Sequence, residues 1–506
     1  METKTLAEIG TVVTGKTPST SRRDYYGGDV PFITPTELHA GRTVGQSAKT
    51  LSEAGLQSIK GSILEGTSVL VGCIGWDIGN IAMTNDRCAS NQQINAVTSI
   101  ISEVNPSYLY YWLSTKKDYL FSIASVTRTP ILSKSTFEQV KVPVPSRDVQ
   151  DGIAHILVSI DDQIATNDQV NDNLQAMLQT LYGYWFLQFD FPDKNGQPYR
   201  ASGGRMVWND QLKREIPAGW RAVTLRELLK KNRKAFDYGT VEPTIDLSVM
   251  PTGSIALNNL SRSDAFSSNL YQMSEGDILF GAIRPYLKKA GIAPCNGVVV
   301  GTVHSFSPVR VDDYNFALAT LTSEQMFSHA VRSSTGTRMP TVKADDLLDV
   351  VVAYSESVAT AFNQIPVARS IIERVQESSR LGELRDWLLP MLMNGQATVA
   401  SSDKLSFCAD RTTIHPAVTA QHEEQFDATL YLLTESPRIR LRGWMRTFSN
   451  GITERRYKIR WRIDSSDQND DPLAKFHFAV LPRQIRPRAH TPAHRHFVST
   501  GAYYVS

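Results

Sequence analysis

The sequence predicts an α+β protein: two similar mixed α/β globular domains, separated by two long helices that form an antiparallel coiled coil with pseudo-twofold symmetry. The first observation is an internal repeat, because segments of the first half return 210 positions later. The matching segments are Glu65-Gly66 with Glu275-Gly276, Thr127-Arg128-x-Pro130 with Thr337-Arg338-x-Pro340, and Leu174, Leu178 and Leu181 with Leu384, Leu388 and Met391. The second observation is a heptad pattern of apolar residues after each globular part. A repeat of this length indicates a duplicated domain rather than a solenoid.

The composition is that of an ordinary globular chain. Its 506 residues suffice for about three domains, and 41% hydrophobic with 21% charged residues can build normal cores. A net charge of +2 does not by itself indicate a nucleic-acid partner. We expect no secretory leader, because the chain leads directly into a domain, and no apolar run reaches membrane-spanning length. We therefore expect a soluble cytoplasmic protein. The cysteines form no C-x-x-C pair, and Cys73 and Cys295 are expected to be small core residues.

The first globular domain is predicted to span residues 1–147. Short apolar runs at Val69–Val71, Ile94–Ile101 and Val140–Val144 are typical of strands. Pro106–Lys116 is predicted to form a short helix, and Tyr26–Asp29, with its two glycines, is predicted to be a turn.

A long spacer helix is predicted at residues 148–189. Its apolar seam alternates by four and three residues and consists of Ile153, Leu157, Ile160, Ile164, Leu174, Leu178 and Leu181. Such a helix of about 36 residues is about 54 Å long at 1.5 Å per residue, which exceeds the face of a domain of about 150 residues. Asn167 and Asn171 also occupy seam positions, and buried asparagines there set register and partner.

The second half repeats this order. A connector and the second globular domain are predicted at residues 190–358, and a second spacer helix at 359–397. The seam of this helix includes Ile365, Ile372, Leu384, Leu388 and Met391, and it changes phase near Leu381, which resembles a stutter.

The tail at residues 398–506 belongs to neither repeat and is rich in arginine and histidine. Basic and apolar residues alternate in Arg438–Arg442 and Arg455–Arg462, which is compatible with strands or with a basic arm for nucleic acid. A third interpretation is an appended, poorly ordered sequence without a selected fold. His490, His494 and His496 have metal-ligand spacing, but a solvated tail explains them more simply.

Two motifs suggest enzymes. Gly10-x-x-x-x-Gly15-Lys16-Thr17 matches the phosphate-binding P-loop, which requires a buried strand before it and a helix after it. Pro18 follows directly and disfavours that helix. Asn105-Pro106-Ser107-Tyr108 is similar to the Asn-Pro-Pro-Tyr element of adenine methyltransferases, but a helix start is the simpler explanation. No catalytic constellation is predicted in the chain, and no metal site.

Polar loops in both repeats are instead candidate DNA contacts, because Arg, Asn and Gln can recognise base edges and Lys and Thr can bind phosphates. These candidates are Lys16, Thr17, Arg22, Arg23, Asn91, Gln92, Gln93 and Arg128 in the first repeat, and Arg284, Tyr286, Lys288, Lys289, Thr337 and Arg338 in the second. Arg128 and Arg338 rank highest. Since they repeat while their neighbours differ, a shared phosphate or structural role is favoured for them.

The order of these motifs resembles the specificity subunit of type I restriction-modification systems. The resemblance covers roughly residues 5–397. The motifs that carry it are Gly15-Lys-Thr-Pro18, Ile63-Leu-Glu-Gly66, Gly72-Cys-Ile-Gly75, Asn91-Gln-Gln-Ile94, Val142-Pro-Val-Pro145, Glu275-Gly-Asp-Ile-Leu279 and Leu384-Arg-Asp-Trp-Leu-Leu-Pro390. The second repeat has no evident Asn-Gln-Gln-Ile, and the tail has no counterpart in the family pattern.

The resemblance implies a non-catalytic subunit with two target recognition domains, each recognising half of a split site in double-stranded DNA. It also implies two docked methylation subunits and further restriction subunits. In that family the partners, rather than the specificity subunit, use S-adenosylmethionine, Mg²⁺ and ATP, and the holoenzyme is an endonuclease and adenine methyltransferase. Alternative hypotheses are a coiled-coil adaptor without sequence-specific DNA contacts, a P-loop NTPase or an adenine methyltransferase.

Overall fold

A computed structural model describes residues 2–39, 41–125, 128–237, 239–267 and 269–397, together with the backbone of five strands beyond residue 423. The chain divides into two compact units, Met1–Asp161 with Arg385–Ser506, and Asp162–Leu384. Within the described ranges, no helix has the length and apolar character needed to cross a membrane.

The first unit begins with a globular part that we call the first copy (residues 2–144), followed by a long helix. Its strands are β1 (Glu2–Thr5), β2 (Thr11–Thr14), β3 (Tyr26–Ile33), β4 (Thr50–Leu51), β5 (Ile63–Leu64), β6 (Ser68–Gly72), β7 (Ile81–Thr84), β8 (Cys88–Ser90), β9 (Ile94–Thr98) and β10 (Lys141–Val144). Its helices are α1 (Leu6–Ile9), α2 (Glu53–Ser58), α3 (Pro106–Ser114), α4 (Lys117–Ser122) and α5 (Lys134–Glu138), and α6 (Arg147–Tyr182) continues into the second unit.

The second unit holds a connector hairpin and a globular part that we call the second copy (residues 221–354). The strands are β11 (Met206–Asn209), β12 (Arg214–Pro217), β13 (Arg221–Thr224), β14 (Leu229–Asn232), β15 (Pro243–Ile245), β16 (Ser261–Arg262), β17 (Leu270–Met273), β18 (Ile278–Gly281), β19 (Ala290–Ile292), β20 (Gly297–Val300), β21 (Val303–Pro308) and β22 (Val351–Tyr354). The helices are α7 (Leu225–Leu228), α8 (Tyr314–Leu321), α9 (Glu324–Ser333), α10 (Ala344–Leu348), α11 (Glu356–Asn363) and α12 (Val367–Met393).

The two copies share one sheet topology, which confirms the predicted duplication. One four-stranded sheet has the order β2-β9-β6-β7 in the first copy and β14-β21-β18-β19 in the second. The other has the order β4-β3-β8-β5 and, correspondingly, β16-β15-β20-β17. Each copy also contains one parallel pair at the same place, β3 with β8 and β15 with β20. The ends of each copy are joined by an antiparallel pair, β1 with β10 and β13 with β22.

The local interactions that stabilise this shared strand arrangement also occur in both copies. Thr5 with Glu8 and Thr224 with Glu227 form capping boxes at the starts of α1 and α7, which satisfy free amides in the first helical turn. Before β6 and β18 the chain turns through a glycine with positive φ, +70° at Gly66 and +85° in the second copy. Residues with a Cβ rarely adopt that conformation, which explains why Glu-Gly recurs there.

Both long helices are present, but the second is shorter than predicted. Helix α6 has 36 residues, and Gly183–Leu187 extends it as a π-helical turn. In the region predicted as one distal helix, α11 ends at Asn363 and α12 starts at Val367. Pro366 lies between them, and proline disfavours a helical conformation of the preceding residue. The predicted seam residue Ile365 therefore lies in this break and not within α12.

In the second unit, α6 and α12 run antiparallel. Asn167 near the start of this part of α6 donates hydrogen bonds to Glu377 Oε2 (3.2 Å) and Ser378 Oγ (3.3 Å), near the middle of α12. Leu178, late in α6, shares a buried core with Val367 at the start of α12. The predicted seam asparagines are buried, with Asn167 3% and Asn171 2% exposed.

The seam of α12 keeps one spacing in this unit. Ala368, Ile371, Val375 and Ser378 are all buried and lie three, four and three residues apart. Buried Ser378 occupies the position between Val375 and Leu381 that the apolar pattern passes over, and the change of phase near Leu381 stays a prediction. Ile372 is only partly buried beside this core.

In the first unit, one carboxylate joins three elements. Asp161 of α6 accepts hydrogen bonds from Tyr111 Oη of α3 (2.5 Å) and from Arg385 Nη1 of α12 (2.9 Å). Arg42 Nε lies 4.0 Å from the same carboxylate. Burial, and then the charge of Asp161, raise the pKa of Tyr111, which keeps this phenol a hydrogen-bond donor.

Two local predictions are wrong and others are confirmed. Tyr26–Asp29 is not a turn but the start of β3, where the pairing with β4 shifts register around two glycines. Strand β9 ends at Thr98 rather than Ile101, because Ser99 has a positive φ of 50°. The predicted helix after Pro106 is confirmed by α3.

The tail contributes β23 (Glu424–Tyr431), β24 (Arg438–Ser449), β25 (Arg455–Arg462), β26 (Phe478–Val480) and β27 (Tyr503–Val505). Strands β23, β24 and β25 form one antiparallel sheet, so the two alternating basic segments lie in neighbouring strands. The three histidines of the predicted metal-like spacing lie outside the described residues.

Candidate nucleic-acid interface

In the first copy, the loops predicted to contact DNA meet beside the β2-β9-β6-β7 sheet. The loop after β2 is tied to the loop after β8, because Lys16 N donates to Ser90 O (2.8 Å) and Thr17 Oγ1 donates to Gln92 Oε1 (2.7 Å). Gly15 allows this approach, since a Cβ there would lie 2.1 Å from Asn91 O.

Two further loops join the same cluster. Cys73 N after β6 donates to Gln93 O (2.8 Å), and Leu132 N before α5 donates to Cys73 O (2.8 Å). Gly75 N donates to Pro130 O (2.9 Å), which anchors the end of the segment that contains Arg128. The structure therefore brings residues 15–17, 73–75, 91–93 and 128–132 together, although they are far apart in the sequence.

The charged candidate side chains of the first copy differ in whether they already form an ion pair within the protein. Asp24 binds the Arg22 guanidinium in a bidentate pair (2.8 and 2.9 Å), and this hydrogen bonding raises the pKa of Arg22. Lys16, Arg23 and Arg128 are exposed, and their side chains have no ion pair with any described residue. These three can approach a phosphate without first losing a partner.

The predicted amide contacts are partly used within the protein. Asn91 is buried, and its amide group donates to Gln93 Oε1 (3.0 Å) and accepts from Gln93 N (3.0 Å). Gln92 is exposed and bonds to Thr17. We interpret Asn91 as a loop-shaping residue and Gln92 as the more accessible of the two.

The second copy builds the corresponding arrangement with other side chains. Arg284 N donates to Pro340 O (2.7 Å), as Gly75 N does to Pro130 O. Arg284 has a positive φ of 53°, and its side chain is exposed. Thr337 and Arg338 lie in the same anchored segment and are also exposed. Arg128 and Arg338, which repeat in the sequence, therefore also occupy equivalent segments and are both exposed.

The two lysines predicted in this copy are held by protein groups. Lys288 Nζ binds Glu324 Oε1 at 2.6 Å. Lys289 Nζ donates to Leu247 O and is partly buried. Their charge remains near the loop, but a contact with DNA requires these side chains to exchange partners.

The sequence analysis missed a basic run at Lys230–Lys234 of the second copy, where four of five residues are Lys or Arg. The first three residues of the run lie in the edge strand β14, and the guanidinium of Arg233 lies over the Tyr271 ring, 4.9 Å from its centroid. His304 Nε2 donates to Val342 O (3.0 Å) nearby, and burial, with Lys231 and Arg233 contributing, lowers its pKa. The sequence alone could have revealed this feature, because it is a continuous run of basic residues.

The structure contradicts the enzyme motifs. Gly10 follows α1 rather than a strand, β2 occupies the middle of the P-loop pattern, and no helix follows Thr17. Asn105 is the N-cap of α3, and its Oδ1 accepts from Ser107 N (2.8 Å) and Tyr108 N (3.2 Å).

The described ranges also contain other groups that can carry chemistry. No cluster of His, Cys, Asp and Glu suited to a metal ion occurs among them. Cys73 is buried, and burial raises the pKa of its thiol to about 12. Cys295 is partly buried, and its pKa is raised for the same reason.

Comparison with known proteins identifies relatives of one kind. Residues 1–176 match the family model described as type I restriction modification DNA specificity domain. The type I restriction enzyme MjaIX specificity subunit of Methanocaldococcus jannaschii is 27% identical over 423 residues, which cover 79% of this chain and 94% of the relative. The HindI specificity subunit of Haemophilus influenzae is 33% identical over 185 residues, or 36% of this chain and 39% of the relative.

Among solved structures, the S subunit of a type I restriction-modification system from M. genitalium matches 77% of this chain and 95% of its own, at 12% identity and a TM-score of 0.47. The sequence matches are the stronger findings, since one of them spans most of both chains. The resemblance to specificity subunits of type I restriction-modification systems, predicted from the order of the sequence motifs, is confirmed by these relatives.

Proposed function

We propose that this chain is the sequence-specific DNA-recognition subunit of a type I restriction-modification complex. In this proposal the first and second copies act as target recognition domains, and each recognises one half of a bipartite site. The single observation that carries the proposal is the duplicated frame. Both copies present an exposed arginine, Arg128 or Arg338, in a loop anchored through a proline carbonyl.

The paired helices supply the spacing between the two half-sites. A hydrogen-bonded seam at Asn167 fixes the register of α6 against α12. Once one copy is bound, the other meets its half-site at high effective concentration, and only when the gap between half-sites fits. Recognition of the whole site is then far stronger than recognition of either half.

We further propose that the chain is non-catalytic and docks two methylation subunits and, through the assembly, restriction subunits. S-adenosylmethionine, Mg²⁺ and ATP are then used by those partners. The described loops beside the sheets support this proposal. Their side chains are of the kinds that bind phosphates and base edges, rather than a nucleophile with an acid–base pair.

The test is single-molecule methylation mapping of DNA from cells that produce this chain with its methylation partner. We expect a split motif with a fixed gap, which disappears when this chain is omitted. Failure to find such a motif, together with intact co-purification of the partner on gel filtration, would contradict the proposal and support a coiled-coil adaptor.

A further inference from the structure

The first copy carries one aromatic side chain that none of the interactions above explains. Trp76 is 87% exposed, and it is the middle residue of a 3₁₀ turn formed by Gly75–Asp77. Its indole stacks on one side against Phe121 of α4, with ring centroids 5.9 Å apart and planes 18° apart. The other face is open.

The turn that holds Trp76 is well fixed. Gly75 N donates to Pro130 O (2.9 Å), and Gly79 N donates to Gly72 O (3.1 Å). A Cβ on Gly79 would lie 2.8 Å from the backbone of Lys117, so this loop lies tightly against α4. An aromatic ring presented by a fixed turn loses little conformational entropy when it binds.

The second copy presents an aromatic residue in the corresponding turn, one position further from the anchored residue. Tyr286 lies 210 positions after Trp76, is the middle residue of the 3₁₀ turn Pro285–Leu287, and is 53% exposed. Its turn is joined to the segment of Arg338 by the hydrogen bond from Arg284 N to Pro340 O (2.7 Å). In each copy, therefore, a backbone hydrogen bond joins the turn that carries an exposed aromatic ring to the segment that carries the repeated arginine.

On the basis of the proposed function, we propose that Trp76 and Tyr286 pack against the bases of their half-sites, while Arg128 and Arg338 bind the adjacent phosphates. The ligand is double-stranded DNA. Large apolar groups contact base surfaces such as the thymine methyl group in the major groove, or lie against a partly unstacked step. An open indole beside an unpaired guanidinium matches this surface, which combines apolar base faces with phosphate charge.

The experiment compares Trp76→Ala and Tyr286→Ala with the wild type in the complex with the methylation subunit. Equilibrium binding is measured on the mapped duplex and on a duplex of scrambled sequence. We expect each variant to bind the mapped duplex about tenfold more weakly, as for a central aromatic contact, with little change on the scrambled duplex. Trp76→Phe should retain most of the affinity.

The matched control is Trp208→Ala. Trp208 is 60% exposed on the connector hairpin β11–β12, which belongs to neither copy, and its loss should leave both affinities unchanged. Duplexes altered in one half-site add a second measurement. Trp76→Ala should lose discrimination in one half only, and Tyr286→Ala in the other.

Unchanged binding by both variants would overturn the inference while leaving the proposed function standing. Loss of co-purification with the methylation subunit would also overturn it, because the rings would then contact protein. If the wild-type complex itself binds both duplexes equally, the proposed function fails, and that outcome is distinct from the other two.

Discussion

The first and second copies share a backbone and differ in the side chains that it presents. Their sheets have the same strand order, and each forms one parallel pair at the same place. The loop after β2 carries Gly15-Lys16-Thr17, whereas β14 and the two residues after it carry the basic run Lys230–Lys234. The comparison indicates that duplication preserved the strand order and the backbone hydrogen bonds that hold the loops. The side chains on the loop surfaces diverged, as expected if two different half-sites are recognised.

The largest effect should come from changing the spacing while leaving both copies intact. Deleting residues 164–170 of α6 and 375–381 of α12 removes one facing heptad from each helix, or about 10.5 Å. At about 3.4 Å per base pair, the preferred gap should shorten by about three base pairs, and modification at the original gap should be lost. Methylation mapping measures this.

A control deletes the heptad 164–170 from α6 alone, which removes Asn167, leaves Ser378 without its partner and puts the rest of α6 out of register with α12. This single deletion should abolish modification at every gap. An unchanged gap after the paired deletion would contradict the spacing role of the helices.

The repeated arginines test whether the copies share a non-specific contact. Arg128→Ala and Arg338→Ala should each weaken binding to all duplexes by a similar factor and lower the salt-dependence exponent by about one, because a phosphate contact releases counterions. Binding is measured over a series of salt concentrations. Arg262→Ala is the control, since Arg262 is exposed but paired with Asp264. A change confined to one base position would instead indicate base recognition.

Much of the backbone arrangement could be predicted from the sequence, because heptad periodicity indicates the long helices and the internal repeat indicates the duplicated domain. The heptads predicted α6 to within a few residues, and the repeated Glu-Gly marked a turn that requires positive φ. The break before α12 was missed although Pro366 signals it, because the heptad pattern appeared to continue through Ile365. Buried Ser378 was missed because polarity usually indicates exposure.

The candidate site was less predictable. Single loops were correctly selected, but the assembly of residues 15–17, 73–75, 91–93 and 128–132 depends on tertiary contacts that no local pattern encodes. For the same reason Arg22, Lys288 and Lys289 were included among the candidate contacts, although Asp24, Glu324 and the Leu247 carbonyl already bind them. Trp76 was overlooked because an aromatic residue is most often assigned to a core.

The two asparagines of α6 offer a comparison within the seam. Asn167 bonds across to α12, whereas neither amide atom of buried Asn171 has a hydrogen-bond partner among the described residues. Its counterpart 210 positions later is Leu381. Asn171→Leu should therefore raise the free energy of unfolding by about 1–3 kcal/mol, the usual penalty of an unsatisfied buried polar group. Urea unfolding measures it.

Asn167→Leu is the matched substitution and should lower stability by about 1 kcal/mol, since it leaves buried Ser378 without this bond. Equal effects of the two substitutions would contradict the different roles assigned to the asparagines.

The smallest expected effect concerns His304, which donates to Val342 O as Asn95 Nδ2 donates to Leu132 O in the first copy. Burial lowers the pKa of His304, so the unfolded chain binds a proton at higher pH than the folded chain. Stability should thus fall as pH falls below about 6.5, by at most about 1.4 kcal/mol per pH unit, until the folded-state pKa is reached.

His304→Gln should remove this part of the pH dependence. Free energies of unfolding at pH 7.5 and 5.5, compared between wild type and variant, measure it. A variant that retains the full wild-type slope would show that His304 does not contribute.

The most direct test of the account makes the two copies identical. Residues 221–354 are replaced by 2–144, because both segments begin and end in an antiparallel strand pair, Glu2 with Val144 and Arg221 with Tyr354. Methylation is then mapped in cells that produce the chimera with the methylation subunit, after co-purification has shown that the complex forms. The account predicts an inverted repeat of one wild-type half-site with the original gap. A motif that keeps both wild-type halves would contradict the claim that each copy recognises one half.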